Sequence, residues 1–383
     1  MVLLAAGIAA LLPAPRLHAS ASDAETLGLL PYTVGEGDLP SGWTIYSTTA
    51  STNVAVAFAA GDAASGTLLA LESAGRVAGL QQTFNPPRGS HSTSISLVAE
   101  LYRDGDAALV ALRSLDAGGS ATVVPDFWAA ALPGAWAQHT VSAGDSGAVQ
   151  SYIVAWSNGA LLTGVAAIGP TVDTQALLSI AAAAYARTND PPSGTVDADG
   201  DADDLAVVEA MDAAQLPASA APAGFDRAGA YVWSDAQLAL DARAPGDAAA
   251  DVIDGWGRRT GEAEYFVARD GSRTTLTTGY ALFHDAAGAS AALHDLSLYS
   301  VSRQAALLEA PPVQLGDDTV ALRTVVLWPG GELRDGYVLT WQHGDLLLSV
   351  TVIEPEKASP PAYLAAVAGA FEAAYAEAQP IAA

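Results

Sequence analysis

The sequence predicts an α+β fold built twice, as two tandem homologous domains, each an antiparallel sheet with helices packed on one face. Three observations predict it. The string G-R-V-A-G-L-Q-Q-T-F (Gly75 to Phe84) recurs as G-R-R-T-G-E-A-E-Y-F (Gly257 to Phe266), displaced by 182 residues. The same displacement sets Pro40-Ser41-Gly42-Trp43 on Pro222-Ala223-Gly224-Phe225. A repeat that long is a whole domain and not a solenoid unit. Finally, 383 residues suit two cores better than one, and a copy of roughly 165 residues buries about 70% of its unfolded surface without any staple.

The elements recur in one order. Ser96–Tyr102 and Thr277–Phe283 read as strands. Each runs into an aspartate, Asp104 or Asp285, suited to cap a helix whose apolar face carries Ala108, Leu112 and Leu115 in one copy and Ala289, Leu293 and Leu296 in the other. Tyr152–Trp156 and Leu161–Ile168 flank Ser157-Asn158-Gly159, a strong hairpin signal, and Tyr337–Trp341 and Leu346–Ile353 flank the weaker Gln342-His343-Gly344. A last helix closes each copy, with Leu177, Ile180 and Ala184 in one stripe and Leu364, Val367, Phe371 and Ala374 in the other. The second copy is longer ahead of Trp341, where Thr324–Tyr337 reads as an added strand with a Pro-Gly-Gly turn. Gly144-Asp145 and Gly316-Asp317 read as equivalent turns.

The boundaries follow composition. Residues 1–22 open on an apolar run ending in Pro13, Pro15 and the small-x-small pattern Ala19-Ser20-Ala21, which reads as a secretory signal peptide although no Lys or Arg precedes the run. Repeat 1 spans 23–190, an acidic Pro/Gly/Asp-rich linker 191–211, and repeat 2 spans 212–383. The chain is thus expected outside the cytoplasm, with no membrane span once the signal is removed.

Charge and cysteine usage exclude several function classes. The net charge is −26, and every region shares in it: −9 over 23–190, −6 over 191–211 and −12 over 212–383. No basic stripe is available for phosphates, so nucleic acid is excluded as an expected partner and an anionic membrane surface is disfavoured. With no cysteine, disulfides, thiolate metal sites and cysteine nucleophiles are absent.

Gly144-Asp145-Ser146-Gly147 resembles the nucleophile segment of chymotrypsin-like proteases, with His91, His139 and Asp126 as conceivable partners. The second copy has Gly316-Asp317-Asp318 instead, with no serine, and a turn accounts for both. The Asp197–Asp204 run lacks the glycine and glutamate placement of a calcium loop. His284 and His294 miss the i, i+4 spacing of a zinc helix. No phosphate loop, dinucleotide fingerprint or serine elbow occurs, so no cofactor and no metal site are expected. Trp128 and Trp136 have no counterpart in the second copy; they line a groove or pack on a neighbouring domain.

Arg76 and Arg258, the arginines of the duplicated G-R-x-x-G, are the remaining site candidates. Two roles are open to them. Each could clamp a carboxylate-bearing ligand, or each could pair with an internal Asp or Glu while the glycines permit the turn.

The P-x-G-[WF] opening, the G-R-x-x-G strand, the capped helix and the late Gly-Asp turn resemble a domain that recurs in secreted bacterial proteins of unassigned function. The layout is similar to PsbP/Mog1-like and periplasmic sensor-type α+β domains. The resemblance implies the fold and an extracytoplasmic setting; it carries over no binding residue. The expected function is a secreted, non-enzymatic tandem binding or interaction module for a small molecule, peptide or envelope component. The alternative is an extracellular hydrolase.

Overall fold

The computed structural model describes residues 21–115, 122–123, 132–144, 147–188, 201–241, 246–272, 274–295, 305–307, 311–328, 332–355 and 361–378. Two compact units meet in the chain at Asp201/Ala202. The first contains, in order, helix α1 (Ala21–Gly28), strand β1 (Thr44–Ala50), α2 (Asn53–Ala59), α3 (Ala64–Ala74), β2 (Arg76–Asn85), β3 (Ile95–Tyr102), α4 (Gly105–Ser114), β4 (Thr122–Val123), β5 (Trp136–Gly144), β6 (Gly147–Asn158), β7 (Leu161–Gly169) and α5 (Thr174–Arg187). The second contains α6 (Asp201–Ala213), β8 (Phe225–Val232), α7 (Asp235–Asp241), α8 (Gly246–Gly255), β9 (Arg258–Ala268), β10 (Thr275–Phe283), α9 (Ala286–His294), β11 (Ala305–Leu307), β12 (Asp318–Trp328), β13 (Glu332–His343), β14 (Leu346–Pro355) and α10 (Leu364–Ala378). The two element orders are the same.

So is the topology. The first sheet runs β1-β2-β3-β7-β6-β5-β4 and the second β8-β9-β10-β14-β13-β12-β11, with antiparallel pairing throughout. In each, the last strand returns to the middle and pairs with the third. Tandem α+β domains are therefore what this chain forms.

Several duplicated motifs gain a physical cause. Trp43 N donates to Pro40 O at 3.0 Å and Phe225 N to Pro222 O at 3.1 Å, while Gly42 and Gly224 take φ of 83° and 93°. The motif is thus a turn whose third residue needs the left-handed region, and it delivers the chain into β1 or β8. The Asp104 carboxylate accepts from Ala107 N and the Asp285 carboxylate from Gly288 N, both at 2.8 Å, so both helices are capped as expected. Both hairpins have two-residue loops, placed one residue later than the sequence suggests. Asn158 pairs with Leu161 and His343 with Leu346, leaving Gly159-Ala160 and Gly344-Asp345 as the loops. Gly159 and Gly344 supply the positive φ, of 53° and 56°.

Helices cover both faces of each sheet, not one. Val154, Trp156 and Val165 pack with Leu177, Ile180 and Ala184 of α5, whereas the intervening Ala155 and Leu162 pack with Ala108 and Leu112 of α4. In the second unit Trp341, Leu348 and Val350 meet Leu364, Val367 and Phe371 of α10, while Ala281, Phe283 and Leu347 meet Ala289 and Leu293 of α9. Neighbouring residues of a strand point to opposite faces, so both sets of helices are needed to keep the central strands dry. Trp136 packs against the α4 cluster of its own unit; Trp128 lies outside the described residues.

Three further expectations change. The stretch read as an acidic linker is helix α6 from Asp201 onward, with Leu205, Val208 and Met211 buried at three-residue spacing and Asp203 and Glu209 facing solvent. Its early aspartates favour the positive helix start. Among the described residues the second unit has no added strand: Thr324–Trp328 and Glu332–Tyr337 belong to the β12–β13 hairpin, which pairs from Asp318↔Gln342 to Trp328↔Glu332. With Trp156 set on Trp341 the pairing puts Trp136 on Val320, so the apparent extra length comes from matching Gly144 with Gly316. Gly144 and Gly316 are not equivalent, because Gly144 ends β5 opposite Gly147 while Gly316 precedes β12. The residues of the signal-like segment before Ala21, and Asp126, Asp145 and Ser146, lie outside the described residues. Among the described residues no helix is long and apolar enough to cross a membrane.

Candidate functional site

The duplicated arginines are interior. Arg76 is 0% and Arg258 1% exposed. Arg76 Nε donates to Glu100 Oε1 at 2.9 Å, Nη1 to Asn53 Oδ1 at 2.7 Å, and Nη2 to the Ser51 carbonyl at 2.7 Å and its hydroxyl at 3.0 Å. Arg258 Nη1 donates to Asp235 Oδ1 and Nη2 to the Trp233 carbonyl, with its Cζ 5.4 Å from the Trp233 ring centroid. Each arginine thus ties the start of a strand to the segment that enters α2 or α7. Of the two roles open to them, the geometry shows the internal one: both guanidiniums are buried and donate to the protein's own acceptors.

The geometry explains the rest of G-R-x-x-G. Gly75 ends α3 at φ 78° and Gly257 precedes β9 at φ 65°. A Cβ on Gly79 would collide with Arg76 Nη2 and lie 3.0 Å from the Ser51 carbonyl, and one on Gly261 would collide with Arg258 Nη2 and lie 2.6 Å from the Tyr280 carbonyl. Both arginine termini are tied by hydrogen bonds, so the difference lies in the backbone, whose carbonyl comes closer at Gly261 than at Gly79. Gly261→Ala is therefore expected to destabilise its unit more than Gly79→Ala does, the latter costing about 1–3 kcal/mol; chemical denaturation of the two variants checks the order.

The two units place the arginine's counter-ion differently. Strand pairing makes Glu100 on β3 equivalent to Ala281 on β10, since Glu100 faces Gly79 and Ala281 faces Gly261. The duplicated motif in turn makes Asn53 equivalent to Asp235. One carboxylate per arginine is kept, moved from a strand in the first unit to a helix start in the second. Burial pushes the Glu100 carboxyl up, against the lowering pull of Arg76 and of hydrogen bonds from Arg76 and Tyr102. Tyr102, whose hydroxyl meets Glu100 Oε2 at 3.2 Å, is also raised by burial and by that carboxylate.

A second difference is larger. On the face covered by α5, the first unit buries Leu80, Leu97 and Ala99, all at 0% exposure. The equivalent positions of the second unit are Glu262, Thr278 and Tyr280. Gln215, just after α6, donates from Nε2 to Glu262 Oε2 and accepts from Thr278 Oγ1 at 2.7 Å. The Tyr280 hydroxyl donates to the Ala214 carbonyl at 2.7 Å. Next along β9, Glu264 accepts from Arg227 Nε, and Arg227 Nη2 reaches Asp212 at 3.2 Å. Glu262 Oε1 and Glu264 Oε2 are buried without a hydrogen-bond partner. Burial, with Asp212 adding to it, lifts the Glu262 carboxyl to about 8, while the Gln215 hydrogen bond and Arg227 pull the other way. This polar inset can hold or release a proton inside a protein wall. Neither motif nor spacing singled it out; the alignment of the copies does, by setting Glu262 against Leu80.

A third group joins the β13–β14 turn to α10. His343 Nε2 meets both Glu372 oxygens at 2.9 Å, Trp341 Nε1 donates to Glu372 Oε2 at 2.8 Å, and the His343 ring stacks on Tyr375 with centroids 5.0 Å apart. In the first unit Trp156 Nε1 donates to Thr188 Oγ1 at 3.2 Å and Asn158 Nδ2 to the Thr188 carbonyl at 2.5 Å, which secures the same junction with neutral groups. Of the protease-like candidates, His91 is exposed and His139 stacks on Tyr152 with centroids 4.0 Å apart. No group of three or more His, Cys, Asp or Glu able to hold a metal occurs among the described residues.

No family model and no curated protein matches the sequence. Among solved structures, the chain is similar to the extracellular domain of PknH from Mycobacterium tuberculosis, with 11% identity and a TM-score of 0.30 over 45% of this chain and 96% of that one. It is also similar to the di-domain aromatase/cyclase StfQ of the steffimycin biosynthetic pathway, with 9% identity and a TM-score of 0.13 over 88% of this chain and 96% of that one.

Proposed function

We propose that the chain is an extracytoplasmic, non-enzymatic tandem-domain binding protein in which one scaffold, present twice, serves two different recognition tasks. The observation that carries this reading is the contrast at matched positions. Strand order is the same in both units, yet Leu80, Leu97 and Ala99 face Glu262, Thr278 and Tyr280 as counterparts. Function resides in sites set on a fold, and divergence of one face within an unchanged topology is what two separate tasks leave behind. Two modules on one chain also raise each other's effective concentration at a bivalent target. The signal-like residues 1–22 support a location beyond the cytoplasm, and the net charge of −26 favours uncharged or cationic ligands over nucleic acid.

The test uses the full chain in thermal-shift screens against small molecules, short peptides and cell-envelope glycans, beside a panel of generic ester, peptide and glycoside substrates. The expected result is a raised unfolding temperature with a ligand and no turnover. Turnover without a thermal shift replaces this reading with the hydrolase one. Fractionation of the producing cells should find the protein outside the cytoplasm with its N-terminus trimmed near residue 22; a full-length cytoplasmic protein contradicts the location.

A further inference from the structure

We propose that Glu262 is a proton-operated latch: in its neutral form it holds the segment Ala214–Leu216 against the second sheet, and on ionisation it lets that segment go. The geometry is specific. Glu262 is 0% exposed, on the α10-covered face of β9. Gln215 Nε2 donates to one of its oxygens, and the other is buried without a partner. The polar ties of the 214–216 segment converge there, with Thr278 Oγ1 donating to Gln215 Oε1 and the Tyr280 hydroxyl to the Ala214 carbonyl. Ala214 and Leu216 on either side are core residues, so the segment cannot leave without exposing apolar surface.

The neighbours decide the direction. Asp212 of α6 opposes ionisation of Glu262, and Glu264 lies two residues along the same strand. Arg227 of β8 favours ionisation, but its Nε is bonded to Glu264 and its Nη2 to Asp212. Tyr280 of β10 and Tyr231 of β8 both feel the Glu262 charge as a like charge. An ionised Glu262 would therefore be a buried anion with a single neutral donor, which burial does not tolerate unless the wall opens to water. The first unit keeps the same topology with Leu80 in this place, so the scaffold does not need the carboxyl. A group that the fold can do without, placed where its charge state controls a wall segment, is a switch element.

The experiment follows the full chain by NMR from pH 6 to pH 10, reading the Glu262 carboxyl carbon, the Gln215 side-chain amide and the backbone amides of 214–216. The latch predicts one shared midpoint within about one unit of pH 8 in all three, with Gln215 and 214–216 silent in Glu262→Gln and the first unit unaffected in either protein. A carboxyl carbon that titrates in the ordinary glutamate range overturns the proposal. So does a movement of 214–216 that persists in Glu262→Gln. If Glu262→Gln fails to fold, the wild-type carboxyl and segment midpoints decide by their agreement or disagreement. Ligand screens run at pH 6, below the transition, are independent of the latch, so a protein that binds but does not titrate rejects the latch alone.

Discussion

Replacing Arg258 with alanine is expected to destabilise the second unit by roughly 3–5 kcal/mol, because the loss strands the buried Asp235 carboxylate. Arg76→Ala should do the same to the first unit through Glu100. Each effect is confined to its own unit, since the groups that each arginine bonds lie within that unit. The relocated counter-ion makes a sharper test. Glu100→Ala alone leaves Arg76 buried with no carboxylate partner and should cost a similar amount. Adding Asn53→Asp recreates the arrangement of Asp235 and Ala281 in the second unit, and most of the lost stability should return. Urea unfolding of the four proteins gives the coupling energy, expected at about 1–3 kcal/mol in favour of the pair. Simple additivity of the two substitutions would show that the arginine does not choose between the two carboxylate positions.

The second large effect is a pH dependence in the second unit. Glu262 has a folded-state value of about 8 against 4.5 for the unfolded chain. Below the lower value both states are protonated and no difference arises. Between the two, the folded state keeps a proton that the unfolded chain has lost, so stability falls as pH rises. Above the higher value both are ionised and the slope disappears. The accumulated loss is on the order of 5 kcal/mol. Glu262→Leu, which restores the residue found at Leu80, should remove this slope and leave the second unit more stable than wild type at pH 8, partly offset by the acceptor that Gln215 loses. Unfolding temperatures at pH 5, 6.5 and 8 check both statements. An equal slope in Glu262→Leu would assign the pH dependence to another group.

Much of the fold was legible because local chemistry and tertiary role agree. Pro40-x-Gly42-Trp43 and its copy announce turns whose glycines need positive φ, Asp104 and Asp285 cap the helices their positions suggest, and the Leu177/Ile180/Ala184 and Leu364/Val367/Phe371 stripes face the cores. Failures came where composition masked periodicity. The aspartates before Leu205 read as a solvated linker, while the three-residue spacing of Leu205, Val208 and Met211 marks a helix face. The second helix layer escaped notice because strands such as Leu161–Gly169, buried on both faces, show no alternation to read.

At the arginines the sequence showed a duplicated cation and two possible roles. It could not show that Asn53/Glu100 and Asp235/Ala281 are alternative solutions of one charge balance, since that equivalence exists only through strand register. Glu262 was legible in principle. In G-E-A-E-Y-F, two acids share the strand face of buried Phe266, an alternation that a core strand does not otherwise tolerate.

The central claim is that one strand order occurs twice, and the chain's lack of cysteine makes it directly measurable. Ser96 lies opposite Ala166 across β3–β7, and Thr277 lies opposite Thr351 across β10–β14. Antiparallel partners stand within disulfide reach, and these pairs are the non-consecutive contacts that define the topology. Cysteine pairs at the two places, introduced one pair at a time, should each close under mild oxidation at native pH and open on reduction, with the rest of the fold intact. Closure of the first pair with the second remaining open would contradict the duplication.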